Sequence, residues 1–151
     1  MKAHIGVDAA SGLVHTVVVT ESNVSDVTQA HAVLHGDEKA ALGDAGYQGV
    51  DKRPKSLGKP VTWHVAMKHS KRKAPPNNKL GLMMEKLEHL KASVRAKFEH
   101  PFHVIKNVFR HRKTRYRGLA KNTAQLFPLF GFANLILAGR RFSITESRRP
   151  S

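Results

Sequence analysis

Two carboxylates stand apart from the chain's other acids by their setting. Asp44 follows the short apolar run "AALG" and opens the glycine-flanked turn "DAGYQG". Glu99 sits in "VRAKFEHPFHVIK", with Arg95 four residues before it and Lys106 seven after. At about 100° per residue, a straight helix brings Arg95, Glu99 and Lys106 into a wedge of roughly 40°. They border an apolar stripe of Phe98, Phe102, Ile105 and Phe109. A carboxylate between two cations keeps its charge at neutral pH. An acid at the end of a strand does one of two things: it caps the next turn as an Asx residue, or it faces a cleft and holds a metal. Magnesium takes one or two protein carboxylates and fills its octahedron with water and phosphate, and paired ions serve phosphodiester chemistry. Taken singly, Asp44 reads as a turn residue and Glu99 as half of an i,i+4 ion pair worth a few tenths of a kcal/mol. Together they suggest a site for a divalent ion that still wants a third acid.

The elements that must position them are legible in outline. His4–Val7 and Leu13–Thr20 are rich in β-branched residues around the turn "DAASG", which predicts a β-hairpin. The near-continuous apolar run of its second strand suggests cover on both faces. Ser25 and Asp26 start a helix with a buried stripe of Val27, Ala30, Val33 and Leu34, stopped by Gly36. A strand at Lys39–Gly43 ends at Asp44, residues 50–59 allow a brief helix, and Val61–Met67 is another strand. Helical spacing then runs from Leu80 to Phe109, with a kink or restart expected near His100 because Pro101 follows. A last helix covers Lys121–Leu137. The order predicts an α/β fold, a mixed sheet of the hairpin and two further strands with helices packed on it.

Charge narrows the function. Of 151 residues, 26 are Lys or Arg and 11 are Asp or Glu, a formal net charge of +15. Such a field draws polyanions, nucleic acid before an anionic membrane surface. The basic clusters "KHSKRK" and "RHRKTRYRG" supply phosphate contacts, among them Lys68, Arg72, Arg115 and Arg117, with Tyr116 set to stack on a base. The second cluster reads as a continuation of the Glu99 helix. Tyr47, next to Asp44, is placed to touch DNA. Trp63 reads as core, and His31 with His35 as a helical i,i+4 pair lacking a third metal ligand. Absence of cysteine excludes disulfides and thiolate metal sites. The N-terminus carries no secretion signal, and no run approaches the roughly 20 apolar residues of a bilayer span. The protein is expected in the cytoplasm.

Five stretches, "MKAHIGVDAASGLVHTVVVTESNVSD", "DAGYQG", "WHVAMK", "RAKFEHPFHVIK" and "RYRGLAKN", together resemble the DDE transposases of bacterial insertion sequences of the four/five type. The resemblance covers residues 1–139, leaving 140–151 as a basic disordered tail. It implies an RNase H-like catalytic domain that cuts and joins DNA with two metal ions, Mg²⁺ or Mn²⁺, held by two Asp and one Glu. By motif match Asp44 is the second Asp and Glu99 the Glu, both catalytic and metal-binding, with Arg95 and Lys106 as the Glu's basic partners facing DNA. The family's tyrosine before this Arg is replaced by Ala92. The first Asp of the family lies on a central strand upstream of the hairpin. Residue 1 falls after that strand, and Asp8 matches the hairpin turn instead. The resemblance thus implies an incomplete RNase H-like fold with its first strand missing and either a direct pairing of its neighbours or an exposed gap. Such a fragment binds transposon ends and target DNA but does not cleave autonomously, and its partners include a complementary N-terminal fragment or a second copy. The rival reading is a non-catalytic basic nucleic-acid-binding protein in which Asp44 and Glu99 are structural.

Overall fold

The computed structural model describes residues 1–53, 61–66 and 78–146, with side chains through Arg140. It divides into two compact units: Met1–Asn23 with Lys97–Ser151, and Val24–Ala96.

The first unit is built on the hairpin β1 (Lys2–Val7) and β2 (Val14–Thr20), paired antiparallel with Ile5 opposite Val17. Successive strand residues point to opposite faces, so Ala3, Ile5 and Val7 share a face with Val17 and Val19. That face packs on a core of Val14, Val104, Ile105, Leu126, Phe130 and Ala133. One face of β2 therefore carries the core. On the other, Val18 lies opposite His4, which is buried and bonds Thr20 Oγ1 through Nε2 at 2.8 Å. A side chain protects the strand's outer edge: Asn134 Oδ1 accepts from the Val14 N–H and its Nδ2 donates to the Val14 carbonyl, both at 2.8 Å.

Asn134 belongs to α3 (Leu119–Glu146), longer at both ends than its apolar spacing indicates. Leu126, Phe130 and Ala133 recur on its buried side, while Pro128 lies on the exposed side, where a missing N–H costs least. Phe102 meets Phe130 edge to face at 5.6 Å.

Helix α2 (Lys79–His103) continues past Pro101, which is fully buried. The expected break comes later, as a widened π turn over Val104–Val108, where the Phe109 N–H reaches back to the Val104 carbonyl at 3.1 Å. The chain then leaves the helix at Arg110, whose φ of 54° is a left-handed conformation uncommon outside glycine. The basic run after it, expected to continue the helix, is an irregular loop up to α3.

In the second unit the helix predicted after Ser25 is one turn, α1 (Asp26–Gln29). Ser25 gives it no side-chain cap. Thr28 Oγ1 instead bonds the Ser25 carbonyl at 2.6 Å, and the Ala32 N–H turns back to Gln29 in an i,i+3 bond. The Glu38 carboxylate accepts from the His35 and Gly36 amides at 2.8 and 2.7 Å and closes the segment. His31 and His35 consequently do not share a helix. Strands β3 (Ala40–Gly43) and β4 (Thr62–Val65) pair in parallel, Leu42 opposite His64. The expected single mixed sheet is, among the described residues, two separate two-stranded sheets. Val27, Ala30 and Val50 form this unit's core, with Tyr47, Trp63 and Val65 against it. The α2 residues of this unit keep their apolar stripe exposed: Leu80, Met83, Leu87 and Leu90 are all more than half accessible.

Candidate functional site

Asp44 stands where β3 ends, in extended conformation (φ −75°, ψ −177°), and caps the tight turn Ala45–Tyr47. Its Oδ1 accepts from the Gly46 N–H at 2.8 Å. This is the turn-capping role, and it leaves the second carboxylate oxygen outside that bond. The side chain is exposed.

A second acid reaches the same turn. A Cβ placed on Gly46 would stand 2.9 Å from Asp26 Oδ2 and 3.0 Å from Asp44 Oδ1, so the two oxygens lie no more than about 6 Å apart. Glycine at 46 thus leaves room for both carboxylates: a side chain there would push on the two oxygens and make them draw back. Asp26 itself is held by its place as first residue of α1. Two hard oxygen donors converging on an accessible turn fit a divalent ion that keeps most of its waters. Asp26 escaped sequence reasoning, where it read as a first-turn helix charge. Asp44 lies 18 positions further along the chain, and the packing of α1 against the Ala45–Tyr47 turn brings them together.

Tyr47 lies against this pair. Its ring stacks on Trp63 with centroids 6.2 Å apart and planes 13° from parallel. Burial, then the charges of Asp26 and Asp44, push its phenol up to about 12. It therefore stays a neutral hydrogen-bond donor over the whole physiological range. Trp63 takes the core position expected for it.

Glu99 belongs to the other unit and stands exposed in the last turns of α2, with Arg95 exposed on the same helix. Lys106 lies beyond, inside the π turn, exposed, its ammonium 5.9 Å from the centre of the Phe102 ring. The 40° wedge drawn for a straight helix does not carry over to Lys106, because the wider turn changes the angle per residue from Val104 onward.

The loop from Arg110 to Gly118 exposes Arg112, Lys113, Arg115, Tyr116 and Arg117. Its start is tied to the π turn: Arg112 donates from Nε to the Lys106 carbonyl at 3.3 Å and from its terminal nitrogen to Asn107 Oδ1 at 3.2 Å. Its end is pinned by Asn122, which is buried, accepts from the Tyr116 N–H at 3.2 Å and donates to the carbonyls of Tyr116 and Gly118 at 2.6 and 2.7 Å. Asn122 is the last residue of the "RYRGLAKN" stretch, and its role in holding the basic loop was not read from the sequence. Burial, then the neighbouring Arg115 charge, holds the His111 imidazole below its usual range. Lys68 and Arg72 fall outside the described residues. No helix among the described residues is long and apolar enough to cross a membrane.

The chain matches the family model described as a transposase DDE domain over residues 1–135. No solved structure matches it.

Proposed function

The chain belongs to the transposase DDE-domain family, and from that premise we propose that it is a DNA-binding transposase chain whose catalytic carboxylates are Asp44 and Glu99. The observation that carries the reading is Asp44 at the end of a parallel strand, exposed, with a second carboxylate beside it across Gly46, where a Cβ would crowd both oxygens. The subtype is that of bacterial insertion sequences four and five, and the architecture an RNase H-like one. Asp44 and Glu99 would be the carboxylates that bind Mg²⁺ or Mn²⁺, with Asp26 next to Asp44, and the metal would supply Lewis-acid activation for phosphodiester cleavage and joining. The chain's own groups do the rest. Arg95 and Lys106 place positive charge where the scissile phosphate approaches Glu99. Tyr47 donates a hydrogen bond from a phenol that does not ionise. Arg115 and Arg117, on a loop fastened at both ends, bind backbone phosphates, joined by Lys68 and Arg72. The substrates are transposon ends and target DNA, met in the bacterial cytoplasm at the nucleoid, with a complementary transposase fragment or a second copy as protein partner.

The chain on its own is not an autonomous nuclease in this reading, because it matches two of the family's three acids. A supercoiled-plasmid nicking assay with Mg²⁺ or Mn²⁺ tests that: DNA is bound without metal-dependent cleavage. Robust nicking abolished by Asp44→Asn would overturn it.

One observation favours the rival, a basic nucleic-acid-binding protein without catalysis: Asp44 already has a structural use in capping its turn. Calorimetry with Mn²⁺ separates the two. Binding that survives replacement of both Asp44 and Glu99 by Ala supports the rival.

A further inference from the structure

The first unit holds an open groove of about 290 Å³ between the hairpin turn, the end of α2 and the C-terminal part of α3. Val104 and Leu137 form its apolar floor; Ser11, Lys97, His100, His103 and Arg140 line its polar walls. Among the described residues no carboxylate lines it. Asp8, from the same turn as Ser11, directs its carboxylate at the Ser11 backbone N–H.

Two of the walls are preset as donors. The Lys97 ammonium is anchored by one hydrogen bond to the Ala9 carbonyl at 3.2 Å, and an ammonium has three N–H groups to give. The His103 ring is oriented through a relay. Arg112 donates to Asn107 Oδ1, which turns the Asn107 amide nitrogen toward His103 Nδ1 at 3.0 Å. Nδ1 is thereby the acceptor and the neutral ring carries its proton on Nε2. Arg140 adds a fixed fork of donors suited to phosphate oxygens.

The groove is not the Glu99 face. Counting about 100° per residue along α2, Lys97 and His100 lie roughly 150° around the helix from the midpoint of Arg95 and Glu99. A ligand seated among them is therefore on a different side of the helix from the carboxylate.

We propose that this groove is a second track for the phosphodiester backbone of duplex DNA, held by Lys97, Arg140 and His103 on the side of α2 turned away from Glu99. The inference rests on the DNA-binding reading above. An open groove with donors on its walls and no acid suits a chain that passes through, and the apolar floor suits the sugar edge of that chain.

Salt dependence of duplex binding, read by fluorescence anisotropy, tests it. Each phosphate contact contributes about 0.9 to the slope of log K against log salt. The double variant Lys97→Ala/Arg140→Ala should flatten the wild-type slope by about 1.8. Lys52→Ala/Arg53→Ala, which removes the same charge from exposed positions in the other unit, should leave it nearly unchanged. Lys97→Arg/Arg140→Lys should restore it, which separates lost contacts from misfolding. Equal flattening by the two alanine pairs would overturn the groove and leave general electrostatic binding. An unchanged slope for Lys97→Ala/Arg140→Ala, with a flatter one for Arg115→Ala/Arg117→Ala, would overturn the groove while the DNA reading stands. A wild-type slope near zero would sink both. Inorganic phosphate that binds the groove without competing against duplex would point to a free-phosphate site and also overturn the proposal.

Discussion

Asn134→Ala removes the side chain that bonds the outer edge of β2 at Val14. Asn134 bonds both polar groups of a single residue, Val14, at 2.8 Å each, and Val14 is only 9% exposed. Alanine deletes two hydrogen bonds worth about 1 kcal/mol each and strands a main-chain donor and acceptor in a site with little water; an orphaned buried group costs about 1–3 kcal/mol. Because the groups are near an edge and regain some hydration, the total is set at about 2–4 kcal/mol. For a chain of this size that is a fall in Tm of roughly 4–16 °C. Urea unfolding followed by circular dichroism measures it as a lower midpoint at unchanged m-value. Asn134→Asp sharpens the case. It keeps the acceptor for the Val14 N–H but sets a carboxylate against the Val14 carbonyl, so the loss at neutral pH is similar and shrinks on acidification, when the protonated acid again donates. A cost for Asn134→Ala below about 0.5 kcal/mol, the range of an ordinary surface change, would refute the reasoning.

Two further outcomes follow from the Asp44 turn. Gly46→Ala meets no backbone strain, since Gly46 is not among the left-handed glycines, so stability should shift by no more than about 1 kcal/mol. Both carboxylates must nevertheless draw back from the new methyl, and Mn²⁺ affinity by calorimetry should drop severalfold; an unchanged affinity would detach the Asp26–Asp44 pair from metal binding. Tyr47, raised to about 12 from an ordinary value of 10, should titrate late when tyrosinate absorbance is followed in a Tyr116→Phe background. Its folded value lies above its unfolded one, so its contribution to stability is whole below pH 10 and is lost as pH climbs from there through 12. Ionisation of Tyr47 near pH 10 in the folded chain would contradict the burial described for it.

What could be read from the sequence was what depends on neighbours along the chain. The hairpin announces itself by runs rich in β-branched residues on either side of "DAASG", and the α3 core residues Leu126, Phe130 and Ala133 by helical spacing. Asp44 was visible as a strand-end acid, because the run "AALG" and the glycines after it mark the boundary. What depends on distant pairing was not. Whether β3 and β4 join the hairpin in one sheet is decided by contacts between segments tens of residues apart, and no local pattern encodes it. The α1 segment carries the apolar period of a longer helix, but Thr28 and Glu38 offer its backbone other partners and end it after one turn. The π turn after Pro101 changes a hydrogen-bond register, not a residue pattern, and so moved Lys106 and released the arginine loop unannounced. Asp26 and Asn122 were hidden for the same reason: each acts on a group that folding, not sequence distance, supplies.

Asp44 and Glu99 are the carboxylates proposed above to bind the divalent ion. Mn²⁺ binding measured by calorimetry for the wild type, Asp44→Asn, Glu99→Gln and the double variant tests that assignment as a thermodynamic cycle. If both carboxylates serve metal binding, Asp44→Asn and Glu99→Gln each lower the affinity, and the double variant loses it. Wild-type affinity in Glu99→Gln, with the loss confined to Asp44→Asn, would contradict the assignment and leave the metal to Asp44 and Asp26 alone.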